Sequence, residues 1–130
     1  MKNLFLLLFI LFVYAGSAQV YVNQIELGTS GKQYIEVWEK YNNNTEKFYA
    51  MVDYGQVSVK GQNAQTMMIH DAKNNFLQFN NIIAILNYLY LNGWELHHVN
   101  QNDGISSYLL NRRSGYVSPV NRLSKVEENQ

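Results

Sequence analysis

Residues 80–113, NNIIAILNYLYLNGWELHHVNQNDGISSYLLNRR, contain the pattern that decides the fold. Four apolar residues recur at spacings of three and four, which places them on one face of a helix: Ile82, Ile85, Leu86 and Leu89. Asn80 is the predicted N-cap, because its side chain can accept hydrogen bonds from the first unpaired backbone donors. Gly93 predicts the helix end, since glycine readily takes the left-handed conformation found just past a helix. The stretch therefore predicts one amphipathic helix with a capped start and a defined end.

Two strands are predicted after the helix. Trp94 follows the terminal glycine, a position that commonly packs back on the last helical turn, here on Leu89. Residues 94–99 and 106–113 read as strands, and residues 100–105 contain the Asn, Asp and Gly residues that turns favour. The region is therefore predicted to be a helix followed by a β-hairpin, with the Trp94 indole beneath the helix end.

The residues before the helix have a period of two. Ile35 and Val37 alternate with polar and aromatic neighbours, and residues 47–54 alternate again after a polar turn. Two such runs joined by a short turn predict an antiparallel hairpin, and residues 66–70 and 76–79 predict a further short pair. Together these elements predict an α+β fold, a small antiparallel sheet with one main helix packed on one face, in the order β-β-(ββ)-α-β-β.

The N-terminus predicts export. Lys2 is followed by an apolar run of about 12 residues and then by small residues up to Ala18, which is the layout of a cleavable signal peptide. A membrane anchor is the alternative, but a helix that spans a bilayer needs about 20 apolar residues. We therefore expect residues 1–18 to be removed and the protein to be periplasmic or secreted, with no membrane insertion after cleavage.

The rest of the chain is predicted to form a single domain. Residues 19–32 alternate only weakly and read as a loose lead-in or a short edge strand. Residues 33–113 hold the predicted α+β domain. Residues 114–130 include glycine, proline and a charged end, a composition typical of a mobile tail.

Charge and cysteine content bear on the class of protein. The chain has 10 basic and 10 acidic residues, so removing Lys2 with the signal leaves 9 against 10, a formal charge of about −1. This balance predicts no nucleic-acid partner, because binding to a phosphate backbone needs a basic surface. The sequence has no cysteine, so stability must come from packing or from surface buried against a partner rather than from disulfides.

Candidate catalytic and metal-binding residues are few. His97 and His98 are neighbours on a predicted strand and point to opposite faces, so they cannot easily share a metal ion, which needs three or four converging ligands. The sequence contains neither a nucleophile elbow nor a glycine-rich phosphate loop. It therefore predicts a non-enzymatic protein with no catalytic residues, no metal and no cofactor. A hydrolase using His70 and Asp71 is the weaker alternative, and it requires a deep pocket that joins them to another acid or base.

Three aromatic residues form the candidate binding site. Tyr34 and Trp38 share one face of their strand, opposite Ile35 and Val37, and Tyr49 lies on the paired strand. If the helix covers the two aliphatic residues, the three rings lie on the uncovered face, where exposed aromatic clusters mark binding or assembly surfaces. A protein partner or homo-oligomer is the leading interpretation, and a small ligand or glycan stacked on the rings is the alternative. A third interpretation places these rings in the core or beneath the N-terminal segment.

Residues 85–113 also contain the short motifs Leu-Asn, Gly-Trp-Glu and Tyr-x-Leu-x-Arg, with Tyr-Ile-Glu-Val and Val-Asp-Tyr-Gly upstream. The motif residues are Leu86, Gly93, Trp94, Glu95, Leu96, Tyr108, Leu110 and Arg112. These motifs resemble those of domain of unknown function family 4177 and of similar small exported proteins. The resemblance implies the α+β fold and a core centred on the helix and hairpin, and it implies no activity. We expect a structural core motif of Leu86, Leu89, Gly93, Trp94, Leu96, Tyr108 and Leu110, with Arg112 at a solvated strand end.

Overall fold

A computed structural model describes residues 19–56 and 64–116. Within these ranges the elements are β1 (Tyr21–Val22), β2 (Ile25–Glu26), β3 (Tyr34–Asn42), β4 (Lys47–Asp53), a 3-10 turn (Ala64–Met67), β5 (Ile69–His70), β6 (Gln78–Phe79), α1 (Ile82–Leu91), β7 (Trp94–Asn102) and β8 (Ile105–Arg112). The predicted signal peptide and most of the predicted C-terminal tail lie outside the described residues.

The predicted helix is confirmed as α1, with its N-cap one residue later than expected. Asn81 rather than Asn80 is the N-cap, and its side-chain oxygen accepts from the Ala84 backbone N–H at 2.9 Å. At the other end the Asn92 N–H donates to a carbonyl of the last turn at 3.0 Å, and Gly93 takes a φ of +93°. The helix therefore ends where the asparagine–glycine pair predicts. In the described part of the chain no helix, α1 included, has the length and apolar character needed to cross a membrane.

Trp94 is completely buried beneath the end of α1, and the region forms the predicted helix, strand and strand. The hairpin turn is tighter than predicted, because β7 and β8 stay paired as far as Asn102 and Ile105. Asp103 and Gly104 alone connect the two strands, with φ values of 49° and 78°. Positive φ at both central residues is the geometry of a type I′ turn, which matches the twist of a β-hairpin.

Within the described residues the main sheet has five strands in the order β6-β4-β3-β8-β7, and all neighbours are antiparallel. β3 lies in the middle, where Val37 is opposite Val52 of β4 on one side and Tyr108 of β8 on the other. The core between the main sheet and α1 is formed by buried residues of both. The sheet contributes Ile35, Val37, Val52 and Leu110, and the helix contributes Ile85 and Leu89. The α+β prediction, with one helix on one face of an antiparallel sheet, is confirmed.

A second sheet, which the sequence pattern did not predict, joins β2, β1 and β5 in that order among the described residues. It includes part of residues 19–32, so of the two predictions for this segment the short edge strand holds and the loose lead-in does not: β2 lies at the edge of this sheet and forms a hairpin with β1, which also pairs with β5. Val22 and Leu27 have no exposed surface and belong to the same core as α1. Strands of 2 residues are too short for a period of two to be detected in the sequence.

Most side chains of the expected core motif lie in the core, whereas Leu96 does not. The side chains of the motif that are buried or pack against the core are Leu86, Leu89, Trp94, Tyr108 and Leu110. Leu96 is instead 48 % exposed, although it lies opposite the buried Leu110 in the β7–β8 register. β7 is the edge strand of the main sheet, so α1 covers its first residue and leaves Leu96 outside the core.

Arg112 is half-buried, which corrects the expectation of a solvated strand end. Its guanidinium donates to the carbonyls of Leu27, Gly28 and Lys32 at 2.8, 2.9 and 3.0 Å. The same group lies 4.7 Å from the centre of the Trp94 ring, within the range of a cation–π contact. One arginine thus joins the N-terminal hairpin region, the main sheet and the core indole.

The first residues of the predicted mobile tail are packed against the domain. The Tyr116 ring lies so close to Gly93 that a Cβ added to the glycine would overlap it. The Arg113 guanidinium is 5.5 Å from the centre of the Tyr116 ring and 4.4 Å from that of Tyr90. The domain therefore extends past its predicted boundary at residue 113.

Candidate functional site

The three predicted binding residues lie on one face of the main sheet. Tyr34 and Trp38 alternate with the buried residues of β3, so they point away from the core. Trp38 is opposite Met51 of β4, and Tyr49 lies two residues from Met51, which makes it a diagonal neighbour of Trp38. Tyr34 is 60 % exposed, and the other two aromatic residues are half-buried. We term this surface the aromatic face, formed by Tyr34, Glu36, Trp38, Lys40, Tyr49 and Asp53.

The Tyr49 side chain is held in place by neighbours on the same face. Its hydroxyl oxygen accepts from Asn42 Nδ2 at 2.8 Å and from Gln78 Nε2 at 3.1 Å. Its ring meets the edge of Phe76, with the ring centres 6.4 Å apart. Because both hydrogen bonds use the oxygen as acceptor, the hydroxyl hydrogen remains able to be donated to a binding partner.

Charges of opposite sign occupy the two ends of the aromatic face. Glu36 is directly opposite Asp53, whereas Lys40 lies further along β3, opposite Tyr49. The Ser107 hydroxyl donates to Glu36 Oε1 at 2.6 Å, which orients that carboxylate. At a rise of about 3.3 Å per residue, the backbones of Glu36 and Lys40 are about 13 Å apart. The aromatic face therefore has an acidic end, an aromatic centre and a basic end.

His70 lies in β5, inside the strand predicted for residues 66–70, and is 5 % exposed. Nδ1 is 2.8 Å from the Asp71 carbonyl oxygen and donates to it, whereas Nε2 accepts from the Gln24 backbone N–H at 3.1 Å. The ring stacks on Tyr21 at 5.7 Å between centres and meets the edge of Phe76 at 6.3 Å. Both nitrogens bond to backbone groups, so His70 links the turn between β1 and β2 to β5.

The Asp71 carboxylate organises the loop between β5 and β6. One oxygen accepts from the backbone N–H groups of Lys73 and Asn75 at 2.8 and 2.9 Å, and the other accepts from the Asn75 side-chain amide at 3.1 Å. The hydrogen bonds from Asn75, and to a smaller extent Lys73, hold the pKa of Asp71 below its usual range. His70 contacts the Asp71 carbonyl and not this carboxylate, so the two side chains do not form an acid–base pair.

A cleft of about 310 Å³ opens between the β1–β2 turn and the loop that Asp71 organises. Its lining residues are Tyr21, Gln24, His70, Asp71, Ala72 and Asn74. The hydrolase hypothesis requires another acid or base beside His70 and Asp71. Among these lining residues the further titratable group is the Tyr21 phenol, which already donates to Gln19 Oε1 at 2.6 Å.

The remaining histidines are not brought together with other ligands. His97 and His98 are both exposed, beside an irregularity in the β7 register between Leu96 and His98. Across residues 19–56 and 64–116, no group of three or more potential metal-binding side chains converges.

Two buried polar atoms lack a hydrogen-bond partner among the described residues, the Tyr88 hydroxyl and the Trp94 Nε1. Burial, and secondarily the negative charge of Asp71, raises the pKa of Tyr88. The Tyr88 ring meets that of Phe79 at 5.4 Å between centres, so its orientation is set by core packing.

The cleft cannot be predicted from the sequence, because its two walls come from segments far apart in the chain. Gln24 and His70 are separated by 46 residues, and the first of them lies in the segment interpreted as a lead-in. The signal available in the sequence was the His70–Asp71 pair, but nothing in the sequence shows that Gln24 faces it.

Comparisons with protein-family models, with curated proteins and with solved structures return no match. The likeness of residues 85–113 to domain of unknown function family 4177 therefore rests on the motif residues alone. Most of those residues have structural roles in the core and at the helix end.

Proposed function

We propose that this protein is an exported, non-catalytic binding module that associates with a second copy of itself through the aromatic face. The observation that carries the proposal is the 60 % exposure of Tyr34, near the half-buried Trp38, on the side of the sheet away from α1. Aromatic side chains are enriched at protein interfaces because they bury a large area with little loss of side-chain freedom. Met51, which lies opposite Trp38, is itself buried, so the surface open to a partner runs along β3 from Tyr34 past Trp38 to Lys40.

The charges of the aromatic face favour a second copy as that partner. In a two-fold symmetric contact the same surface faces itself, so each pair of residues meets twice. An axis near Trp38 places the acidic end, Glu36 and Asp53, over Lys40 of the other copy, and the reverse contact forms at the same time. One surface thus provides both halves of the charge complementarity, which favours correct orientation of the two copies.

The size of the face indicates a weak dimer. β3 has 9 residues, about 30 Å in length, and a contact that extends from the aromatic face across β8 and β7 covers four strands, about 19 Å at about 4.8 Å spacing. The footprint is about 600 Å² per copy, or about 1,200 Å² over both copies, which is at the low end for specific interfaces. We therefore expect a dissociation constant in the micromolar range.

Sedimentation velocity of the purified exported protein, from micromolar to millimolar concentration, tests the proposal. Lys40→Glu and Glu36→Lys, each alone, place like charges face to face and are expected to weaken self-association at least about tenfold. An equimolar mixture of the two variants restores both charge pairs and is expected to form a heterodimer.

Ile83→Ser is the matched control, because Ile83 is also 60 % exposed but lies on the helix rather than on the aromatic face. This variant is expected to associate like the wild type. A wild-type protein that stays monomeric at every concentration, or a mixture that associates no better than its components, contradicts the proposal.

A further inference from the structure

The cleft beside His70 is separate from the aromatic face and has the size of a ligand site. Its volume of about 310 Å³ lies at the lower end of the range for small-molecule pockets, about 300–1,000 Å³. One wall is the β1–β2 turn and the other is the loop after β5. A ligand of this cleft is therefore a small molecule or the end of a longer one.

The rigid part of the cleft is built by groups that already have partners. His70 uses both ring nitrogens, Asp71 accepts three hydrogen bonds from its own loop, and Tyr21 donates to Gln19. Tyr21 stacks on His70 with an angle of 20° between the rings, so a ligand can stack only on its opposite side. These residues supply shape and a flat apolar surface rather than reactive groups.

Two side-chain amides on the cleft have no such partner. Gln24 lies in one wall and Asn74 in the other, both residues are exposed, and neither side chain makes a hydrogen bond to the described residues. Both residues have left-handed backbone, with φ of 65° and 66°, where glycine is the residue that fits without strain. Gln24 is the less usual case, since asparagine tolerates this conformation better than glutamine. Local backbone preference therefore accounts for Asn74, whereas folding alone gives no reason for the amide of Gln24.

We propose that this cleft binds a neutral saccharide unit through the amides of Gln24 and Asn74, with a sugar ring stacked on Tyr21. A side-chain amide both donates and accepts hydrogen bonds, as does a sugar hydroxyl, so one amide can meet two neighbouring hydroxyls. The flat face of Tyr21 suits the apolar face of a pyranose ring. The ionised carboxylate of Asp71 at the same cleft disfavours anionic ligands, which selects neutral sugars.

Amide chemical-shift mapping of the full exported protein tests the proposal, with neutral hexoses, N-acetylhexosamines and their short oligomers as probes. Binding is expected to move the backbone signals of the β1–β2 turn and of the loop after β5. Gln24→Gly and Asn74→Gly remove one amide each while relieving the left-handed backbone. Both variants are therefore expected to bind at least about tenfold more weakly and to keep or raise their melting temperature.

Glu46→Gly is the matched control, because Glu46 also has positive φ, 54°, but lies in the β3–β4 turn away from the cleft. It is expected to raise the melting temperature and leave saccharide binding unchanged. Tyr34→Ala, which alters the aromatic face, is also expected to leave saccharide binding unchanged, so the two proposals fail separately. The proposal is overturned if no neutral saccharide shifts these signals, if nucleosides or anionic sugars bind instead, or if the Gln24→Gly/Asn74→Gly double variant binds like the wild type.

Discussion

Replacing Gly93 with alanine examines how the helix end is built, because two features of the structure reject a side chain there. The φ of Gly93 is +93°, and left-handed backbone costs a non-glycine residue about 1–2 kcal/mol. An added Cβ would also overlap the Tyr116 ring. Relieving that overlap requires the Tyr116 ring to move away from Arg113. This movement loses a cation–π contact worth about 0.5–1 kcal/mol. We expect Gly93→Ala to lower the free energy of unfolding by about 1.5–3 kcal/mol.

Urea unfolding followed by tryptophan fluorescence measures this loss, since Trp94 is buried beside the substituted residue. Gly55→Ala is the matched control, because Gly55 has a similar φ of 87° but open space around it. This variant is expected to lose only the cost of left-handed backbone, about 1–2 kcal/mol. A Gly93→Ala/Tyr116→Ala double variant removes the overlap and is expected to lose about 1 kcal/mol less than the two single losses added together. Wild-type stability in Gly93→Ala, or simple additivity in the double variant, refutes the reasoning.

Three further predictions concern the N-terminal contacts and the titrating groups. Arg112→Ala is expected to lower the free energy of unfolding by about 2–4 kcal/mol, because three carbonyls lose a charged donor. Arg112→Lys should recover less than half of this lost stability, as measured by thermal unfolding. Full recovery of the stability would contradict the role of the planar guanidinium. The pKa of Asp71 is lower in the folded than in the unfolded protein. Its contribution to stability is therefore fully present at pH values above the ordinary pKa of a carboxyl group, and it is lost as pH falls through the pKa of the folded state. Urea unfolding at decreasing pH should show less acid destabilisation in Asp71→Asn, and an unchanged acid profile would contradict this. The pKa of Tyr88 is raised by folding, so stability is fully present below about pH 10 and is lost as pH rises through the folded pKa. Tyr88→Phe should remove this alkaline loss without destabilising the protein at neutral pH, since the hydroxyl has no partner among the described residues, and a loss at neutral pH would count against it.

The features predicted correctly are those determined by neighbours in the chain. The spacing of Ile85 and Leu89 predicts the buried face of α1, and Gly93 predicts where the helix ends. Trp94 then reaches the core because the glycine turns the chain back beneath the helix. The alternation in β3 also places Tyr34 on the face away from the core without knowledge of the partner strands.

The features that were missed depend on strand order and on contacts between distant segments. Leu96 has the spacing of a core residue, but its exposure follows from the place of β7 at the sheet edge. Arg112 reads as a surface residue, yet it donates to Leu27 and Gly28, 85 and 84 residues earlier. The cleft depends on the pairing of β1 with β5, and strands of 2 residues have no periodicity from which this pairing could be predicted.

The most direct measurement is ¹⁹F NMR of the protein labelled with 5-fluorotryptophan, because the chain has only two tryptophans and they have different predicted roles. Trp94 has no exposed surface, whereas Trp38 is half-buried on the aromatic face. We expect two signals, assigned with a Trp38→Phe variant. The Trp38 signal should respond to exchange of H₂O for D₂O and shift with protein concentration as copies associate, while the Trp94 signal does neither. A Trp94 signal that responds to solvent contradicts the fold, and a Trp38 signal independent of concentration contradicts self-association through the aromatic face.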